Sequence, residues 1–187
     1  IPLTMKSEIK EENGAWIVNE TAQTPQGEIS DVSTIEKGSL LLKRRLIKQG
    51  PLTMELKIEP HQVTGTTVMN GQSTPLAVES GGALFADGAG AFDVIASLPL
   101  ADGYSLSFRN FDVMKQKPQI KQLKVTGSES VTVPAGTFDA YKVEILDVAN
   151  DADKQTVWID KGSRKVLKIT AVLPNLNGAV LTSELTP

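Results

Sequence analysis

The chain has 187 residues, 40% of them hydrophobic and 22% charged, with a formal net charge of −3 and no cysteine. That length fits one domain able to bury a core without staples, and the composition is that of a globular rather than a disordered protein. The mild acidity and the 5% aromatic content give no electrostatic or stacking basis for a nucleic-acid partner, and the lack of cysteine excludes disulfides, thiolate zinc sites and a cysteine nucleophile.

In chain order, Leu3, Met5 and Ile9 alternate with Thr4, Lys6, Glu8 and Lys10, the period of a half-buried strand. Glu11-Glu12-Asn13-Gly14 is turn chemistry, and Ala15 to Val18 opens the return strand of a hairpin. Pro25-Gln26-Gly27 punctuates before a run from Glu28 to Glu36, and Lys37-Gly38-Ser39 leads into Leu40 to Lys48. The cleanest alternation follows Gln49-Gly50-Pro51, with Leu52, Met54, Leu56 and Ile58 on one side and Thr53, Glu55, Lys57 and Glu59 on the other. Gln62 to Met69 is a further strand, closed by Asn70-Gly71, a strong hairpin signal. Pro75 to Glu79 reads as a short edge.

The texture changes at Ser80-Gly81-Gly82. Leu84, Phe85, Phe92, Ile95 and Leu98 are spread among alanines and glycines, Asp87 or Asp93 is available as a cap, and Pro99 is a stop, so a helix is predicted over 88–97. Extended runs resume at Tyr104 to Phe111, Gln119 to Thr126, Val131 to Val133, Phe138 to Val148, Gln155 to Asp160, Lys165 to Leu173 and Gly178 to Leu185. About a dozen closely spaced strands and one helix predict a mainly β chain, an antiparallel meander that is curved or closed, in a single domain over 1–187.

Few residues are placed for chemistry. His61 is the one histidine; it follows Pro60 in a turn between strands and reads as a solvated loop residue. No G-x-S-x-G elbow accompanies it, and one imidazole is too few for a catalytic zinc. Asp147, Asp151 and Asp153 near Asn150 suit either a calcium loop or a hairpin tip, and they lack the glycine and distal glutamate of a helix–loop–helix calcium site. Lys43-Arg44-Arg45 is the compact basic run. On a regular strand Lys43 and Arg45 share one face and Arg44 the other, which suits a solvated strand better than a phosphate or lipid-headgroup patch. Ser80-Gly81-Gly82 and Asp87-Gly88-Ala89-Gly90 lack the Lys-Ser/Thr of a phosphate loop. Catalytic residues, metal and cofactor are accordingly expected to be none. No apolar run reaches the roughly 20 residues of a membrane span. The chain starts at Ile1 with neither leader nor initiator Met, as expected of a mature form or a piece of something longer.

Three segments carry a resemblance. Ala91-Phe92-Asp93-Val94-Ile95-Ala96-Ser97-Leu98-Pro99-Leu100 with Ala101-Asp102-Gly103-Tyr104 resembles the helix, L-P-L and G-Y-strand passage of a family of exported bacterial domains of unknown function. Val131-Thr132-Val133-Pro134-Ala135-Gly136-Thr137-Phe138-Asp139-Ala140-Tyr141-Lys142-Val143 resembles its V-x-V-P-A-G-x-F-x-A-x-K-V passage. Val157-Trp158-Ile159-Asp160 with Arg164 to Ile169 resembles its closing hairpin. The resemblance implies a single, strongly curved antiparallel sheet, a half-barrel with one short helix against the concave face, similar in shape to the lipoprotein carriers LolA and LolB. It also implies export to the periplasm or secretion, and in relatives attachment to peptidases or other secreted enzymes. No catalytic residue is carried over with it.

The expected function is a non-enzymatic exported domain that binds an apolar or lipidic ligand, or a protein partner, on the concave face. Leu84, Phe92, Ile95 and Leu98 would contact the ligand or, equally, plug the half-barrel as ordinary core. The alternative is an accessory module covalently linked to a larger secreted peptidase or hydrolase.

Overall fold

The computed structural model describes residues 4–25, 27–173 and 178–187. The described chain is mainly β and wholly antiparallel, with one short helix. Its first sheet runs in sequence order through β1 (Met5–Glu12), β2 (Ala15–Thr24), β3 (Gly27–Glu36), β4 (Leu42–Gln49), β5 (Leu52–Ile58), β6 (Gln62–Met69) and β7 (Gln72–Glu79). The helix α1 (Ala91–Ala96) follows, and then β8 (Ser105–Asp112), β9 (Lys117–Val133), β10 (Gly136–Asp147), β11 (Asn150–Asp160), β12 (Val166–Leu173) and β13 (Ala179–Glu184) form a second meander. The chain divides into two compact units, Ile1–Ala91 with Arg109–Pro118 and Phe92–Phe108 with Gln119–Pro187.

The strands thus sort into two sheets where one continuous sheet was expected. In a meander each strand pairs with its neighbour in sequence because a tight turn returns it there. The stretch from 80 to 104 supplies no such turn. Its backbone is taken by the helix and by left-handed residues, including Gly88 (φ 73) and Gly90 (φ 77). The same two glycines explain why the helix begins at Ala91 rather than at 88, since left-handed residues cannot join a right-handed helix.

Turn chemistry sets the register of the hairpins. Asn13 (φ 50) and Asn70 (φ 51) occupy the left-handed region, which a two-residue hairpin loop requires. They join Glu12 to Ala15 and Met69 to Gln72 as paired residues. In the second unit Pro134-Ala135 forms the loop between the paired Val133 and Gly136, and Val131, Val133, Ala140 and Leu167 form a buried cluster beneath it. The Asp160 turn is held by its own carboxylate, which accepts hydrogen bonds from the Ser163 N–H (2.7 Å) and hydroxyl (2.6 Å).

Those bonds, from the Ser163 hydroxyl first and its backbone N–H next, pull the Asp160 carboxyl below its ordinary value. A lowered native pKa contributes stability above the unfolded value, and that contribution is lost as pH falls through the native one. Wild type is therefore expected to lose stability faster than Asp160→Ala as pH drops below the ordinary Asp value of 3.8. Parallel urea titrations at a series of acid pH values would check it, and parallel curves would contradict it.

Candidate functional site

One face of the first sheet carries the buried side chains of the first unit, and the strand register resolves it into rungs. Val18, Ser33, Arg45, Leu56, Gly65 and Leu76 lie opposite one another along β2 to β7. The next rung is Glu20, Asp31, Ile47, Met54, Thr67 and Thr74. On β6 and β5, Val63 and Ile58 face each other and extend the first rung's apolar end. The face therefore has two halves. Over β2 to β4 it presents Glu20, Asp31, Ser33 and Arg45; over β4 to β7 it is mainly aliphatic, with Thr67 and Thr74 in the second rung.

The polar half is organised by Arg45. Its Nε bonds both Asp31 carboxylate oxygens at 3.1 Å, its Nη2 reaches Asp31 Oδ2 at 2.7 Å, and its Nη1 reaches Asp87 Oδ1 at 3.1 Å. The Arg45 and Asp87 side chains are 14% and 5% exposed, so this is a buried network. Asp87 also accepts the Phe111 N–H at 2.8 Å, and Glu20 accepts the Gly90 N–H at 2.9 Å. Segment 84–90 is thereby fastened to β2, β4 and β8, helped by backbone bonds from Leu42 N–H to the Leu84 carbonyl (3.1 Å) and from Phe85 N–H to the Arg109 carbonyl (3.0 Å). Gly88 and Gly90 permit the close approach: a Cβ on Gly88 would fall on the Ser33 hydroxyl and lie 2.9 Å from the Arg45 side chain, and one on Gly90 would lie 2.8 Å from Val18.

Burial works against the charged guanidinium of Arg45, yet the Asp31 hydrogen bonds and the charges of Asp87, Asp31 and Glu20 outweigh it and hold Arg45 above its ordinary value. Burial pushes the Asp87 carboxyl up, against the pull of Arg45 and of the Phe111 and Gly88 N–H groups. The guanidinium is occupied on both sides by carboxylates, so this network fastens a segment and does not offer a cation to a ligand.

Arg45 faces inward by alternation with Ile47, and an irregularity in β4 brings Leu42 to the same face. Arg44 pairs with Thr34 while Leu42 pairs with Ile35, which leaves Lys43 as a bulge residue. The bulge breaks the expected alternation: Lys43 turns to Glu36 at 3.2 Å, Arg44 is exposed, and buried Leu42 shares the sheet face with Arg45, whose side chain is 14% exposed. The readable signal was an acidic residue at an inward-alternating position of one strand, Asp31 between Ile29 and Ser33, beside a strand with a basic residue.

The aliphatic half is formed by Ile47, Met54, Leu56, Ile58, Val63 and Leu76, each at most 8% exposed. Thr67, directly across from Met54, has a buried hydroxyl without a protein partner.

Of the residues expected to contact a ligand, Leu84 is fully buried in the first unit. Phe92, Ile95 and Leu98 belong to the second, where Ile95 is 1% exposed and Phe92 and Leu98 are half-buried. Helical spacing brings Phe92 and Ile95 to one side of α1. His61 is exposed, with its carbonyl accepting the Ser80 N–H at 2.8 Å. In the acidic hairpin Asp147 accepts the Ala149 N–H at 2.9 Å and Asp153 pairs with buried Lys121 at 2.7 Å. The Asp151 side chain lies outside what the structure describes. Among the described residues no three metal-ligating side chains converge, and no helix is long and apolar enough to cross a membrane. On the second sheet Trp158 donates to Glu129 at 2.5 Å, with Lys142 and Lys168 over its ring at 5.8 and 5.9 Å, a mutually satisfied surface group.

No curated protein and no solved structure matches the chain. A family model does, over residues 4–184. With nearly its whole length matched, the chain belongs to the family described as protein of unknown function DUF3108.

Proposed function

We propose that this chain is a non-enzymatic, exported β-rich module that takes an apolar or lipidic ligand against the aliphatic half of its first sheet. The observation that carries the reading is the juxtaposition of Met54 and Thr67. Met54 lies between Ile47 on one neighbouring strand and Thr67 on the other, and the Thr67 hydroxyl is buried with no protein partner. Buried hydroxyls are ordinarily satisfied, and Met is the side chain that repacks most readily around a variable apolar ligand. An acyl chain lying along Ile47, Met54 and Leu56, with a carboxyl or ester oxygen accepting from Thr67, meets both demands. The resemblance of the three sequence segments to exported, lipoprotein-carrier-like domains supports the same chemistry and a periplasmic or secreted location.

The test is a titration with a fluorescent fatty acid. Saturable binding at micromolar concentration is expected, weakened about tenfold in Thr67→Val, which loses one hydrogen bond at nearly constant shape. Leu84, buried in the same unit as the aliphatic half, remains in the proposal as a further ligand contact. Absence of saturable binding by the folded chain would overturn the ligand reading in favour of an accessory module serving a larger secreted peptidase or hydrolase, or of binding a protein partner.

A further inference from the structure

We infer that β1 is a self-association edge, through which a second copy of this chain extends the first sheet by antiparallel β1–β1 pairing. β1 is the outermost strand of that sheet, and all eight of its residues are exposed. Met5 and Ile9 are 52% and 51% exposed, unusual for apolar residues of a strand. The opposite edge, β7, carries Pro75 within the strand, which removes a donor and blunts it. β1 carries no proline.

The backbone is set for pairing. The two-residue loop makes Glu12 and Ala15 a hydrogen-bonded pair. Alternation then commits Lys10, Glu8 and Lys6 to β2 and leaves the N–H and C=O groups of Ser7, Ile9 and Glu11 pointing outward. Two copies meeting at Ile9 join these groups in register: Ile9 faces Ile9, and Ser7 faces Glu11.

The side chains select that register. Lys6, Glu8, Lys10 and Glu12 share one face of β1. With Ile9 on the two-fold axis, Lys6 of one copy faces Glu12 of the other and Glu8 faces Lys10, so every charge on that face meets its opposite. Shifting the centre to Glu8 sets Lys6 against Lys10 and Glu8 against itself. Shifting it to Ser7 keeps Lys6 against Glu8 but leaves Lys10 and Glu12 beyond the ladder. An alternating charge pattern that is self-complementary about one residue fits an isologous dimer. The present Lys10–Glu12 contact on the same strand is 3.3 Å between side chains 69% and 55% exposed, a surface pair that rearranges at little cost. The inference does not rest on the ligand reading.

Sedimentation equilibrium at low salt tests it. Wild type is expected to dimerise at micromolar to submillimolar concentration, as suits a small edge-to-edge interface. Lys6→Glu/Lys10→Glu gives a wholly acidic face and Glu8→Lys/Glu12→Lys a wholly basic one. Each alone is expected to weaken dimerisation at least about tenfold, and an equimolar mixture to recover it as a heterodimer. Ile9→Pro removes an outward N–H that β2 does not use, and is expected to be monomeric with an unchanged circular dichroism spectrum. A wild-type chain still monomeric near roughly 1 mM, charge variants that associate like wild type, or a mixture that fails to recover the dimer would each overturn the inference.

Discussion

Replacing Arg45 by methionine is expected to cost about 3–5 kcal/mol of folding stability, the range found when one partner of a buried ion pair is removed. The change leaves Asp31 and Asp87 without the guanidinium that bonds them at 2.7–3.1 Å. Both are largely withdrawn from water, with side-chain exposures of 21% and 5%. Arg45→Lys keeps the charge but loses the fork that engages two carboxylates at once, so it should recover only part of the loss. Arg45→Met combined with Asp31→Leu removes a charge from each side and should be less destabilised than the single change, because the cost lies in the orphaned carboxylate. Chemical denaturation of the set, read as midpoints at constant slope, decides the matter. A double variant as unstable as the sum of its parts would contradict the network.

Gly65→Ala is expected to destabilise by about 3 kcal/mol or more, at the upper end for overpacking, because the atoms in the way belong to the main chain. An added Cβ would fall on the Glu55 carbonyl oxygen and lie 3.0 Å from its carbon and 3.1 Å from Leu56 Cα. Gly65 sits in β6, paired on one side with Leu56 and on the other with Leu76. Relief would require β5 and β6 to part in the middle of the aliphatic half. Gly71→Ala is the control: its φ is +79 but nothing lies within 4 Å of an added Cβ, so only the left-handed penalty of about 1–2 kcal/mol applies. A loss at Gly65 no larger than at Gly71 would show that the strands yield easily.

The sequence carries the local devices of this fold more openly than its long-range ones. Asn13-Gly14 and Asn70-Gly71 announce their hairpins because the left-handed backbone of those turns restricts residue choice. The alternation of Leu52, Met54, Leu56 and Ile58 is visible because one face is buried and the other solvated, and the structure buries Met54, Leu56 and Ile58. The split into two sheets was less legible, since strand texture is the same on either side of 80–104 and the interruption depends on backbone angles at Gly88 and Gly90. The charge network was hidden for two physical reasons. Its members come from β3, β4 and the segment after β7, so no local spacing relates Asp31, Arg45 and Asp87. The Lys43 bulge also inverts the face on which a regular strand would place Arg45 relative to Leu42. The Thr67 hydroxyl was likewise invisible, because a threonine in a strand is ordinary until its lack of a partner is seen.

The four methionines offer a direct reading of the ligand proposal. Met54 is 2% exposed against the aliphatic half, while Met5, Met69 and Met114 are 52%, 44% and 79% exposed elsewhere. Titration of a long-chain fatty acid into protein labelled at the methionine methyl groups, followed by nuclear magnetic resonance, is predicted to shift the Met54 signal saturably while the other three stay in place. An unmoved Met54 signal, or a uniform and unsaturable drift of all four, would contradict it.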